Sequence, residues 1–376
     1  MRSPADYVSA RAHGVDASGI RKVFDLAAKM KDPINLSIGL PDFDVPELAK
    51  QAAKEAIQTG HNRYTQTQGI APLRERLRKD LSAEFGHDVG DVLITSGVSG
   101  GLFLAILATV NPGDEAIFLD PYFVMYKHLL TMAGGKAVPV NGYPDFRFRA
   151  DRVEAAITPK SKLLILNSPS NPTGVVMTQD EVNAAVALAK KHDLLIISDE
   201  IYEPFFYSQL ATGNSQLPSA AKTYDRTIIL RGFSKSHAMT GWRLGYAAGP
   251  EPIISQMTKL QQYTYVCAPS PLQSAAVAAL DIDMSKAVGA YRTKRDIAFD
   301  TLSRRFEVVK PEGAFYVFPQ VPRGQTASAF VERAIANNVL IIPGNVFSEQ
   351  DSHFRISYAT TDEKLRQGCE ILNSLA

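Results

Sequence analysis

From Asp91 onward the apolar residues fall into two kinds of run that alternate along the chain. Short β-rich runs (DVLIT, EAIFLD, KLLILNSP, LLIISDE and TIILRGF) are separated by stretches with helical spacing: LFLAILATV, FVMYKHLLTMAGG and DEVNAAVALAKK. This alternation predicts an α/β domain built on a mostly parallel sheet. Helix starts are marked by Thr178 with Glu181 and by Thr360 with Glu363, both in capping-box spacing. In the last helix Leu365, Cys369 and Leu372 fall on one face. After about residue 280 the pattern changes to a long charged helix (YRTKRDIAFDTLSRRF), a strand (GAFYVF), a helix (TASAFVERAIANN), two short strands and the terminal helix. That order predicts a second, smaller α+β domain. No repeat, low-complexity tract or long linker separates the two parts, so they are expected to pack closely.

Charge narrows the partners. Lys and Arg total 40 against 39 Asp and Glu, a formal net charge of +1, so no overall field draws the chain to nucleic acid or an anionic membrane. Any cationic site must be local. The opening MRSPADYVSARAHG has no apolar core of a signal segment, and the run LFLAILATV is far shorter than the ~20 residues of a membrane span. A cytoplasmic protein is expected. Cys267 and Cys369 form no CxxC, and the histidines include no HExxH, so neither a metal site nor a disulfide framework is indicated.

Ligands of open α/β sheets sit beyond the carboxyl ends of the strands, so the residues that follow each run carry the chemistry. DVLIT leads into SGVSGG and a helix, a small-residue turn whose free N–H groups and helix dipole suit a phosphate. KLLILNSP leads to SNPTG with Asn171, LLIISD to EIYE with Asp199 and Tyr202, and TIILRGF to Ser234 and Lys235. Arg243 follows eight positions after Lys235 in GFSKSHAMTGWRLGY. Taken singly, Asp199 is more often a helix cap, Asn171 a turn residue and Lys235 a solvated surface charge. Their joint place at one rim is what points to chemistry. A lysine, an acid, a tyrosine, an arginine and a phosphate turn together suit pyridoxal phosphate. The lysine forms a Schiff base, the acid keeps the pyridine nitrogen protonated, and cations with N–H groups fix the phosphate.

A rival reading is that GVSGG satisfies G-x-S-x-G between strand and helix, the setting of an α/β-hydrolase nucleophile elbow. Ser99 would then act with a later acid and His353. It leaves Lys235, Arg243, Asp199, Tyr202 and Asn171 without a role.

Over nearly its whole length the chain resembles the class I aminotransferases of pyridoxal phosphate fold type I. The resemblance lies in LSIGLPDFDVPE, YTQTQGIAPLRERL, NSPSNPTG, SDEIYE, GFSKSHAMTGWRLGY, EGAFYVFP and FRISYA. It is nearest to the aspartate, aromatic and kynurenine aminotransferase branch. It implies a large cofactor domain over 40–283 and a small domain from 1–39 and 284–376. Lys235 would be the Schiff-base lysine and proton shuttle, and Asp199 the partner of the pyridine N–H. Tyr202 and Asn171 would bond the 3-hydroxyl, with the Asn171–Pro172 bond cis. Ser234, Arg243 and the turn Gly97, Val98 and Ser99 would hold the phosphate, and Phe123, where many relatives have tryptophan, would stack on the ring. Arg355, helped by the backbone of Gly39, would grip the substrate α-carboxylate. Tyr64 would reach the phosphate of a neighbouring subunit, which implies a homodimer. The activity implied is transfer of an amino group between an amino acid and a 2-oxo acid, with aspartate or glutamate and 2-oxoglutarate or oxaloacetate. Aromatic amino acids or kynurenine are the alternative, followed by a C–S lyase. Ser18, Ile20, Tyr263 and Tyr265 are candidates for the side-chain pocket.

Overall fold

The computed structural model describes residues 2–376 apart from Ser18, Arg21, Lys22, Phe24, Asp25, Ala27, Lys29 and 209–215. After a two-residue strand β1 (Ile34–Asn35), one seven-stranded sheet takes up β2 (Asp91–Thr95), β3 (Glu115–Asp120), β4 (Lys136–Asn141), β5 (Ser161–Asn167), β6 (Leu195–Asp199), β7 (Thr227–Gly232) and β8 (Gly245–Gly249). Five of these are the β-rich runs read from the sequence; β4 and β8 lie outside them. The order is β2-β8-β7-β6-β5-β3-β4. Strands β3 to β7 run parallel, and only β8 is antiparallel, to both β2 and β7. The sheet is mostly parallel, as expected.

Helices cover both faces, which is why the strands are apolar almost throughout rather than at every second position. Successive side chains of a strand still point to opposite faces. Leu93, Ile165, Ile197, Ile228 and Leu230 share one core with the helices Gly97–Thr109 and Glu251–Gln262. On the opposite face Val92, Ile94 and Ile229 pack with helix Ala71–Phe85, and Ile117, Leu164 and Ile196 with helix Gln179–Lys191. Helix Gln179–Lys191 opens with the capping box of Thr178 and Glu181. The terminal helix differs from its expected start. It runs Asp362–Ser374 and is capped by Thr361, whose hydroxyl accepts from the Lys364 amide, so the cap falls one residue after Thr360. Leu365, Cys369 and Leu372 do line its buried face.

The last third of the chain builds two small sheets. Strands β9 (Tyr316–Val317), β10 (Val339–Leu340), β11 (Ile342–Pro343) and β12 (Phe354–Ser357) pair as β1-β10 and as the antiparallel set β11-β12-β9. The strand expected over GAFYVF shrinks to Tyr316 and Val317. Helices Ser285–Leu302, Ala327–Ala336 and Asp362–Ser374 pack over these strands around Tyr291, Phe315, Phe330 and Ile356. Tyr202, Phe205 and Tyr207, from the segment that follows β6, belong to this same core. The end of β6 is thereby tied to the small sheets. Cys267 and Cys369 are free thiols, and no described helix is long and apolar enough to cross a membrane.

Candidate active site

The carboxyl ends of β2, β5, β6 and β7 and the start of the antiparallel β8 meet along one rim. Register sets the alignment: Asn167 pairs with Asp199, and Gly232 with Gly245. Above this rim lies a cavity of about 380 Å³, closed on its far side by Tyr316 and Arg355 of the small sheet. Of the residues singled out in the sequence, Asn171, Asp199, Tyr202, Ser234, Lys235 and Arg243 line it. So do Gly39, Val98, Ser99, Phe123 and Arg355.

Lys235 sits in the short helix Phe233–Ser236 directly after β7. Its Nζ donates to the Gly39 carbonyl at 2.7 Å. Burial, with Arg355 and Arg243 adding positive charge nearby, pushes its pKa down to about 8. Asp199 ends β6 and is buried; its Oδ2 accepts from the Tyr126 hydroxyl at 2.8 Å and its Oδ1 from the Ile201 amide at 3.4 Å. Burial outweighs these bonds and pushes the carboxyl up to about 6. A carboxylate so placed gains most from a cation set opposite it.

At the other end of the cavity helix Gly97–Thr109 begins without a side-chain cap, so its first amides have no intrahelical partner. Gly97 is in the left-handed region (φ 68°), and a Cβ there would lie 2.6 Å from an Arg243 guanidinium nitrogen. Gly97 therefore lies beside the cavity, against Arg243. A Cβ on Gly245 would fall 2.7 Å from the Val98 amide nitrogen, so glycine at the first position of β8 lets that strand approach the turn. Arg243 is itself left-handed (φ 55°) and donates to the carbonyls of Thr240 at 3.0 Å and Ser96 at 3.3 Å. A guanidinium beside an uncapped helix start has the charge and donors to suit an anion.

Arg355 is only 1% exposed. Its Nη1 donates to Asn171 Oδ1 at 2.9 Å and its Nη2 to the Ser37 carbonyl at 2.6 Å. Nε is buried without a partner among the described residues. The guanidinium lies 4.4 Å from the Tyr316 ring centre and 4.7 Å from that of Phe347. Burial lowers its pKa. A buried cation whose described hydrogen bonds go only to neutral oxygens is suited to receive a carboxylate. Asn171, held by its own amide on Asn167 Oδ1 at 2.9 Å, precedes a cis Pro172 as expected.

Other expectations separate from this cluster. Tyr64 is 82% exposed and borders a surface groove with Arg63 and Ser270 rather than the cavity. Ile20 lines the cavity, whereas Tyr263 and Tyr265 do not, and Ser18 lies outside the described residues. The hydrolase alternative fails on geometry. Ser99 lies in the first turn of its helix facing the cavity, but His353 stacks on Phe318 among Tyr143 and Phe146 and is not a cavity residue. Burial there pushes the His353 imidazole down to about 4, so it is a neutral core side chain.

Three polar groups of the site escaped the sequence reading: Tyr126, which donates to Asp199; Asn167, which orients Asn171; and Tyr316, whose hydroxyl meets that of Tyr202 at 2.8 Å. Tyr126 and Tyr316 sit inside apolar runs, where an aromatic residue reads as core. Asn167 ends an apolar run and was available to the same argument that found Asp199.

The donor set fits pyridoxal phosphate: an amine with a depressed pKa, a buried carboxylate, and a separate anion site of amides and guanidinium. With the three-layer fold, it defines a pyridoxal-phosphate-type transferase of fold type I. Comparison with known proteins agrees: the family described as aminotransferase class I and II matches residues 31–372. The putative aminotransferase YugH of Bacillus subtilis is 38% identical over 96% of both chains. Aromatic-amino-acid aminotransferase 2 of Thermococcus litoralis is 37% identical, also over 96% of both. The structure of Thermus thermophilus aspartate aminotransferase with maleate superimposes with a TM-score of 0.92 at 34% identity, covering 100% of both chains. The chain belongs to the class I and II aminotransferases and is a transaminase.

Proposed function

We propose that this transaminase exchanges the amino group of aspartate or glutamate with 2-oxoglutarate or oxaloacetate, using pyridoxal phosphate held on Lys235. The observation that carries the transamination is the placement of Lys235 Nζ, Asp199 and the buried Arg355 around one cavity, and the aspartate or glutamate preference is supported by the likeness to aspartate aminotransferases. When bound, pyridoxal phosphate supplies the electron sink that lets a proton leave the α-carbon of an amino acid. Asp199 would hold the pyridine nitrogen. Tyr202 and Asn171 would hold the phenolic oxygen, the Asn171 Oδ1 serving Arg355 and its NH2 having no partner among the described residues. Ser234, Arg243 and the amides of Gly97, Val98 and Ser99 would bind the phosphate, and Phe123 would cover one face of the ring. Arg355, helped by the Gly39 backbone, takes the α-carboxylate and so orients the α-carbon hydrogen toward Lys235. Lys235 Nζ, whose pKa burial lowers to about 8, would be the base that takes up and gives back that proton. One oxo acid leaves before the next enters, so the two substrates share one site in turn.

The large cofactor domain is assigned to 40–283 and the small domain to 1–39 and 284–376. Tyr64, exposed in its own chain, is assigned to the phosphate of a partner subunit in a cytoplasmic homodimer. A second reading is favoured by the apolar wall formed by Ile20, Leu40, Leu102 and Phe123. That wall suits an aromatic amino acid, and a distal carboxylate would need a cation from outside it. The test is a panel of amino donors with 2-oxoglutarate, scored by oxo-acid formation. Highest kcat/KM for aspartate supports the first reading, and highest kcat/KM for phenylalanine, tyrosine or kynurenine overturns it for the second.

A further inference from the structure

Tyr316 touches three parts of the cavity at once. Its hydroxyl lies 2.8 Å from the Tyr202 hydroxyl, and its ring carries the Arg355 guanidinium at 4.4 Å. It also presses on Gly39, where a Cβ would fall 1.9 Å from the Tyr316 hydroxyl oxygen. Gly39 in turn holds Lys235 Nζ through its carbonyl. Tyr316 is buried in the edge strand β9 and paired by register with Ser357 of β12, two residues from Arg355, so pairing with β12 ties its backbone to the strand that carries the guanidinium.

Each phenol has one hydrogen to give. When Tyr202 donates to Tyr316, Tyr202 offers the cavity only a lone pair. When Tyr316 donates, the Tyr202 hydrogen is free for an acceptor inside the cavity. The Tyr202 hydroxyl is the one described partner of the Tyr316 hydroxyl, so this pair can adopt either order. An electron-rich oxygen in the cavity selects the second.

We propose that Tyr316 is a positioning residue with two separable tasks: its hydroxyl aims the Tyr202 hydrogen into the cavity, and its ring sets the plane of the Arg355 guanidinium. The inference rests on the transaminase reading, since it takes the acceptor for Tyr202 to be the phenolic oxygen of pyridoxal phosphate. Gly39 has no side chain because the Tyr316 hydroxyl occupies that space.

The test is a pair of variants measured for cofactor dissociation, KM of the amino acid and thermal melting. Tyr316→Phe removes the hydroxyl and keeps the ring. It is expected to weaken cofactor binding roughly two- to tenfold, the span of one neutral hydrogen bond, with KM within about twofold of the parent. Tyr316→Leu removes both and is expected to raise KM a further threefold to thirtyfold, the span from an exposed to a desolvated cation–ring contact. A purely structural role would lower the melting temperature in both variants and move the two constants together. Equal cofactor affinity in Tyr316→Phe and the parent overturns the hydroxyl's task, and equal KM in Tyr316→Leu overturns the ring's. Tyr202→Phe, with its own acceptor contact gone, should make the Tyr316→Phe change silent on cofactor affinity; additive losses would also contradict the proposal. If the parent protein fails to bind pyridoxal phosphate at all, the transaminase mechanism itself falls, an outcome distinct from a normal parent with an unaffected variant.

Discussion

Arg355 Nη1 and Asn171 Oδ1 are joined by a 2.9 Å hydrogen bond across 184 residues of sequence. The bond links the small sheet to the loop after β5 and leaves a buried guanidinium with Nε free among the described residues. Arg355→Ala should raise the KM of every α-amino acid and lower kcat/KM roughly tenfold to a hundredfold, because a charged hydrogen-bonded contact contributes about 1.5–3 kcal/mol. Arg355→Lys should recover only part of this, since an ammonium cannot make the planar fork. Steady-state kinetics decide it, and an unchanged KM in Arg355→Ala would remove this residue from substrate binding.

Lys235 gives a pH prediction. Its amine is held near pKa 8 by burial and by Arg355 and Arg243, so the neutral, nucleophilic form predominates above that pH. Acylation of Lys235 in the cofactor-free protein should rise with pH about a midpoint near 8, below the ~10.4 of an exposed lysine. Arg355→Met removes a neighbouring positive charge and should move the midpoint up. Quantitative peptide mapping across pH checks both.

Asp199 sets function against stability. Its carboxyl is raised from 3.8 to about 6 in the folded protein by burial, so the folded state binds the proton more tightly. That contribution is fully present below about pH 4 and is lost as pH rises through about 6. Asp199→Asn should therefore be more stable to unfolding than the parent at pH 8 when cofactor is absent, by at most about 3 kcal/mol, and show little difference at pH 4. The same variant should lose turnover by several powers of ten, each about 1.4 kcal/mol of barrier. A variant that keeps single-turnover rates would contradict the assigned role.

Tyr64 tests the shared site. If it serves the partner's phosphate, Tyr64→Phe should loosen the cofactor. In mixed dimers of parent with a Tyr64→Phe, Arg355→Ala chain, the two defects should fall on different sites. Titration and kinetics of the purified heterodimer resolve the two site classes. Both defects in one class would place Tyr64 within its own chain.

How far the sequence led follows from where each residue stands. Asn171, Asp199, Tyr202 and Lys235 were legible because each follows an apolar run whose end must lie at the rim of a parallel sheet. Arg355 and Tyr64 came only from resemblance: nothing local distinguishes an arginine in FRISYA from an ion-pair residue. Tyr126 and Tyr316 were hidden because their polar tips work from inside core positions. Strand β8, GYAAG, has too few side chains to show a strand pattern, yet its Gly245 is what allows the close approach to Val98. Thr360 and Thr361 are adjacent potential caps, and only the hydrogen bond to Lys364 distinguishes them.

Lys235 is the residue proposed to hold pyridoxal phosphate, and borohydride reduction of the reconstituted protein followed by peptide mapping tests that role most directly. The result predicted is one pyridoxyl group per chain, on Lys235, absent from Lys235→Ala although that variant still binds the cofactor through Arg243 and Asp199. No fixed pyridoxyl group, or one fixed on another lysine with Lys235 unmodified, would contradict it.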